Sequence, residues 1–271
     1  MKKVGIIGNG FVGESIAFAF SPTAEVRIYD TNLLKSTHSL EQVLNQEFIF
    51  ICLPTPMKKD GNQDLSYINN FFENNKSDGI FIIKSTVLPG TTKELINKYK
   101  LKIIFSPEFL TERTAKLDTL TQNRIILGGN ENLTKKVEEL FIERFHNKTI
   151  IRTDETTAEF IKYMNNTFFA TKISIMNEFY RLAKKINIDW DTALYGFVSD
   201  GRIANSHTQV PGPDGHFGYG GTCFPKDVNA FIKFAENNNL KMNTIEGGWK
   251  TNLEVRSEKD WEQKKGRAVS E

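Results

Sequence analysis

The segment Gly8-Asn9-Gly10-Phe11-Val12-Gly13 constrains this chain more than any other stretch. Its G-x-G-x-x-G spacing follows a short apolar run at 4–7 and precedes a stretch that reads as a helix over 11–19. In that context the first glycine permits a tight turn. The second lets the backbone approach a pyrophosphate, and the third lets helix pack on strand. The helix N-terminus then offers amides and the positive end of its dipole to phosphate. A second apolar run, 26–29, ends at Asp30, 20 residues after Gly10. A carboxylate there accepts hydrogen bonds from ribose hydroxyls and repels a 2′-phosphate, which predicts NAD rather than NADP. The competing reading is a glycine turn beside a solvated aspartate.

Apolar runs and amphipathic stretches keep alternating. Strands are predicted at 4–7, 26–29, 48–53, 79–84, 102–106 and 123–127, with helices at 66–75, 91–99 and 132–145. Such alternation reads as an α/β fold of Rossmann type, a doubly wound parallel sheet with helices on both faces. A domain over 1–152 is expected. After Arg152 the pattern changes to helix, and 153–186 lacks proline and glycine. It predicts a spine helix of roughly 45–50 Å, capped by Thr153 or Asp154. Shorter helices near 189–198 and 226–238 complete a small all-α domain over 153–251. The charged end, 252–271, is expected to be weakly ordered or packed on the outside.

Composition excludes several classes. Formal net charge is +2 with both signs interspersed, so no basic stripe marks a nucleic-acid face. No apolar run is long enough to span a bilayer, and the N-terminus lacks a signal-type apolar segment. Two cysteines are too few for a disulfide scaffold. A cytoplasmic protein without a metal site, membrane contact or nucleic-acid partner is expected.

Residues 211–227, PGPDGHFGYGGTCFPKD, set Cys223 in a glycine-rich loop just before Lys226 and Asp227. A thiolate is a strong nucleophile, and Lys226 could supply nearby positive charge. A buried structural thiol is the equally open alternative. Cys52, inside the run FIFICL, fits that alternative and is given no chemistry. Lys162 and Asn166 lie i, i+4 on the spine helix and so share a face, where two donors could serve one oxyanion. Glu108 and Glu112 follow a predicted strand, at the sheet edge where open α/β folds bind ligands. Thr55 and Thr86 also stand at strand ends.

Taken together, these segments resemble the UDP-glucose/GDP-mannose dehydrogenase family, and its UDP-glucose 6-dehydrogenase branch above all. The matching stretches are GNGFVG with Asp30, LPTP, KSTVLPGTT, SPEFLTE, AEFIKYMNNTFFATKISIMNE, DGRI and GYGGTCFPKD, in family order. The resemblance implies oxidation of a nucleotide-sugar C6 alcohol to a carboxylate through a thioester on Cys223, with NAD as oxidant. It gives Lys162 and Asn166 the developing oxyanion and the substrate. Asp227 and Thr86 receive the hydrolytic water, and Glu108 the acid/base role. Phe109, Leu110, Tyr219 and Gly220 fall on the substrate side. The cofactor side takes Gly8, Gly10, Phe11, Val12, Gly13, Asp30, Thr55, Thr86, Glu112 and Lys226. Arg202 matches an arginine that reaches a neighbouring subunit, which implies a homodimer.

Two departures stand out. The family usually adds a third domain that grips the nucleotide, and this sequence stops about where that domain would begin. SPEFLTER also differs from the family around its second glutamate. Two other functions therefore compete: a single-step dehydrogenase of the β-hydroxyacid type, and a non-catalytic NAD-binding remnant or subunit that needs a separate nucleotide-binding partner.

Overall fold

The computed structural model describes residues 1–270. In chain order its elements are β1 (Lys2–Ile7), α1 (Phe11–Phe20), β2 (Ala24–Tyr29), α2 (Leu40–Leu44), β3 (Phe48–Ile51) and α3 (Ser66–Asn74). They continue with β4 (Ile80–Ile83), α4 (Thr91–Tyr99), β5 (Ile103–Phe105), α5 (Ala115–Thr121), β6 (Arg124–Gly128) and α6 (Glu131–Arg144). The last are β7 (Thr149–Thr153), α7 (Glu155–Lys185), α8 (Trp190–Val198), α9 (Phe224–Asn237) and α10 (Asn243–Val255). The chain divides into two compact units. One comprises Met1–Thr55 with Asp64–Lys162, and the other Pro56–Gln63 with the residues from Tyr163 onward.

The first unit is a seven-stranded sheet of order β2-β1-β3-β4-β5-β6-β7. Residues alternate between its faces, so Phe48 and Phe50 join one apolar cluster while Ile49 and Ile51 join another. Strands β1, β3 and β4 carry apolar residues on both sides because helices cover both faces. Pairing is parallel from β2 through β5, and again between β6 and β7. The expectation of a wholly parallel sheet needs one correction. β6 meets β5 antiparallel, through the single pair Phe105 and Gly128. Between them the short helix α5 packs on α1, with Lys116 bonded to Glu14 at 2.7 Å, rather than crossing the sheet. The sequence pattern also misses α2, α5, β7 and α10. α2 is only five residues long, and a capping box of Ser39 and Gln42 starts it. β7 alternates weakly because most of its side chains are exposed.

Helix α7 spans 31 residues, about 46 Å at the usual rise. Asp154 caps it, accepting from the Thr157 amide at 2.8 Å. Within the second unit, Met176 and Ala183 of α7 pack with Trp190 of α8 and with Val210. Ala170 packs with Tyr219, Val228, Phe224 and Trp249. Within the charged end, Arg256, Trp261 and Ala268 are buried. Ala268 accepts a hydrogen bond from the Met57 amide at 2.9 Å. Apolar residues placed among the charges, Trp261 above all, fix the segment. Among the described residues no helix is long and apolar enough to cross a membrane.

One buried carboxylate of the first unit couples its stability to pH. Glu159 accepts from the Gly90 and Thr92 amides, at 2.6 and 2.8 Å, at the start of α4. Burial, only partly offset by these bonds, raises its pKa to about 7. A raised carboxylate pKa favours folding fully below the ordinary carboxylate range, and that contribution is lost as pH rises through about 7. The stake is about 3 kcal/mol. Glu159→Gln cannot ionise, so between about pH 5 and 7 its denaturant midpoint should lack the fall that Glu159 gives the unsubstituted chain.

Candidate active site

The glycine turn forms as its sequence requires. Gly8 has φ +91°, and a Cβ there would lie 2.7 Å from the Cys52 carbonyl oxygen. A Cβ on Gly13 would collide with the Gly8 carbonyl, so helix and strand are in close contact. Gly10 is the N-cap of α1; no side chain caps that end, and a Cβ there would meet nothing within 4 Å. Phe11 and Val12 continue this first turn, half-buried. Open space before uncapped amides is the cradle a pyrophosphate needs. Asp30 is half-buried beside it. Its carboxylate accepts from the Asn9 amide at 2.7 Å and the Asn32 amide at 2.8 Å, so it also fixes the turn. These residues fit NAD.

At the carboxyl ends of β4 and β5 the structure assembles a buried ionic cluster. Lys162 donates to Glu108 twice, to Oε1 at 3.0 Å and to the backbone oxygen at 2.6 Å. Both side chains are almost wholly buried. The Leu110 amide donates to Glu108 Oε2 at 2.6 Å. Burial alone would push the Glu108 pKa up. Lys162, the Leu110 amide and Lys84 together outweigh it and hold the carboxylate below its usual range. The Phe109 ring lies 5.5 Å from Lys162 Nζ.

Lys84 escaped the sequence analysis, although a lysine closing the run FIIK was the available signal. It donates to Pro107 O at 3.0 Å and Ser106 Oγ at 3.3 Å, which ties down the SPEF turn. Burial lowers its pKa to about 8. Thr55 donates to the Thr86 carbonyl at 2.7 Å, linking two strand-end loops, and both residues are buried. Burial pushes the Cys52 thiol up to about 12, which disfavours its thiolate. Glu112 is exposed, unlike Glu108.

The second unit holds the cysteine loop. Cys223 is the N-cap of α9, half-buried, with Pro225 in the first turn. The dipole there favours negative charge. Asp227, one turn on, is buried, donates its amide to the Cys223 carbonyl at 3.0 Å and accepts from Asn166 Nδ2 at 2.6 Å. Lys226 Nζ lies 2.5 Å from Asp227 Oδ1, so its charge is directed at that carboxylate. Tyr219 is buried and Gly220 half-buried in the same loop. Arg202 is exposed and pairs with Asp200 at 2.7 Å.

Comparison with known proteins identifies the two domains. Residues 24–146 match the NAD binding domain of the UDP-glucose/GDP-mannose dehydrogenase family, and residues 156–254 match its central domain. The UDP-glucose 6-dehydrogenase YwqF of Bacillus subtilis is 37% identical over 213 residues, covering 73% of this chain and 47% of that protein. The structure of a UDP-glucose dehydrogenase from Pyrobaculum islandicum superposes with a TM-score of 0.83 at 26% identity, covering 94% of this chain and 68% of that one. A 3-hydroxyisobutyrate dehydrogenase from Mycobacterium tuberculosis gives a TM-score of 0.72 at 14% identity, covering 97% of this chain and 93% of that one, which is likeness of fold alone. The chain spans about half the length of the curated relatives it matches. The chain belongs to the UDP-glucose/GDP-mannose dehydrogenase family, of which it carries the NAD-binding domain and the central domain.

Proposed function

We propose that this chain catalyses the NAD-dependent, four-electron oxidation of a nucleotide-sugar C6 alcohol to the carboxylate, with UDP-glucose as substrate and UDP-glucuronate as product. The observation that carries the proposal is Cys223 at the N-terminus of α9, with Asp227 one turn on and bonded to Asn166. A dehydrogenase that moves one hydride has no use for a thiol in this position, and a non-catalytic remnant has no use for the cluster around it.

When bound, NAD accepts hydride from C6, and two NAD are consumed per acid formed. Glu108, held ionised, takes the hydroxyl proton as the aldehyde forms. Cys223 sulfur then bonds to the aldehyde carbon, giving a thiohemiacetal. Lys162 and Asn166, one turn apart on α7, donate to the C6 oxygen as charge develops there. Transfer of the second hydride to a second NAD, with loss of the C6 hydroxyl proton, would leave a thioester. Water, oriented by Asp227 and Thr86, adds to that carbon, the C–S bond breaks, and the thiolate departs. Phe109, Leu110, Tyr219 and Gly220 line the sugar. The cofactor is held by Gly8, Gly10, Phe11, Val12, Gly13 and Asp30, with Thr55, Glu112 and Lys226.

The working form is a cytoplasmic homodimer. α7 leaves Met164, Phe168, Ile175, Phe179, Leu182 and Ile186 exposed at helical spacing, with Phe168 66% and Phe179 50% accessible. An apolar stripe of that length needs a partner, and Arg202, exposed at the surface, is assigned to the partner subunit's site. The double variant Phe168→Asp/Phe179→Asp should run as a soluble monomer in light scattering, where the unsubstituted chain runs as a dimer.

The substrate is tested by NADH formation with UDP-glucose, GDP-mannose and UDP-N-acetylmannosamine. Turnover with UDP-glucose above the others is expected. Silence with every sugar, NAD being bound, would transfer support to the partner-dependent reading.

A further inference from the structure

We propose that Asn252, Arg256 and Asp260 are positioning residues that clamp the backbone leading into Cys223, so that the charged C-terminal segment serves the catalytic loop. The proposal rests on Cys223 being the nucleophile. It stands on contacts within the second unit alone.

Three loop residues, Gly218, Tyr219 and Gly221, are engaged by hydrogen bonds. The Gly218 amide donates to Asn177 Oδ1 at 3.1 Å. Asn252 grips Tyr219 at both ends, accepting from its amide at 2.7 Å and donating to its carbonyl at 3.0 Å. The Gly221 amide donates to Asp260 Oδ2 at 3.0 Å, two residues before the nucleophile. Asp260 is held by Arg256, whose Nη2 lies 3.1 Å from Oδ1, and Lys264 adds a second cation at 3.5 Å. Arg256 is itself buried. It also donates to Asp214 Oδ2 at 2.8 Å and Glu258 O at 3.1 Å, so it ties the two ends of 214–221 to the C-terminal segment.

The clamp accounts for two of the loop's glycines. A Cβ on Gly220 would collide with Asp260 Oδ1 and lie 2.5 Å from Arg256 Nη2. One on Gly218 would collide with Asn252 Oδ1, and the φ of +65° there is one that side chains rarely adopt. At Gly218 and Gly220 these side chains are pressed against the loop's backbone. A half-buried thiol on such a loop is held in one place, and misplacement of a reacting group by about 1 Å costs on the order of 100-fold in rate.

Asp260→Ala and Asp260→Asn separate positioning from bulk stability. Asparagine keeps an oxygen for the Gly221 amide and loses the ion pair with Arg256; alanine loses both. Thermal midpoints should therefore fall in both variants. Only alanine should lower kcat by about 100-fold, with KM for NAD unchanged. Only alanine should speed iodoacetamide alkylation of Cys223, read by peptide mass spectrometry, by about fivefold or more as the loop opens. Unchanged kcat and alkylation in the alanine variant would overturn the clamp. So would equal losses in both variants that track the thermal midpoint. Should alanine prevent folding, hydrogen exchange on the unsubstituted chain decides: slow Tyr219 and Gly221 amides support the clamp, and fast ones overturn it. Alkylation and exchange read the loop directly. Failure of the nucleophile assignment would show instead as full turnover by Cys223→Ser.

Discussion

Cys223→Ser is expected to leave the fold intact and to cut acid formation by on the order of 10³-fold or more. Serine differs from cysteine by one atom, and position 223 is half-buried at a helix N-terminus, where a hydroxyl is well tolerated. The chemistry does not survive the change. A thiolate captures an aldehyde readily and leaves readily from a thioester, whereas an unactivated serine hydroxyl does neither. Hydride transfer to the aldehyde stage remains open to the variant. NADH should then appear only to the small extent the alcohol–aldehyde equilibrium allows, with no sugar acid by chromatography. A matching thermal midpoint would show that the loss is chemical.

Lys162→Met is expected to damage both stability and catalysis. The variant leaves Glu108 in a buried site without its principal partner, since Lys162 supplies the ion pair and a bond to the Glu108 carbonyl. Removing one member of a buried pair costs about 3–5 kcal/mol. Burial is the largest influence on Glu108 and works to raise its pKa. With Lys162 gone that influence dominates, because the Leu110 amide and Lys84 remain but the strongest opposing charge does not. Glu108 should then stay protonated to higher pH, and the acidic limb of the kcat/KM profile should move toward neutral pH. Loss of an oxyanion donor adds about 10²–10³ in kcat. Urea denaturation measures the first effect and the pH–rate profile the second. Lys162→Arg, which keeps the charge, should recover most of the stability and much less of the rate.

The sequence shows the first unit most clearly, for a physical reason. Buried strands of a parallel sheet read as uninterrupted apolar runs, and the glycine turn has few other uses at a strand–helix junction. α7 was equally plain because 31 residues of helical spacing leave little choice. The reversal of β6 was not visible: strand direction depends on where α5 packs, and periodicity does not report it. Chemistry-bearing residue types could be named from motifs, but their engagement could not. The pairing of Lys226 with Asp227, and of Lys162 with Glu108, is a matter of rotamer and burial. The contacts of the charged end were not legible, because composition weighs Lys and Glu equally wherever they fall. What fixes 252–270 is a few residues: Asn252, Arg256 and Asp260, whose partners lie 33 or more positions earlier in the loop of Cys223, and Trp261, buried beside Trp249.

The most direct test is the mass of the enzyme caught at work. The chain is mixed with UDP-glucose and NAD, quenched in acid during steady turnover, digested and mapped. The Cys223 peptide should carry the mass of the sugar nucleotide less four hydrogens, as a thioester does, while two NADH accumulate for each acid released. Two NADH per acid with Cys223 unmodified, or turnover that stops at one NADH, would contradict covalent catalysis by this thiol.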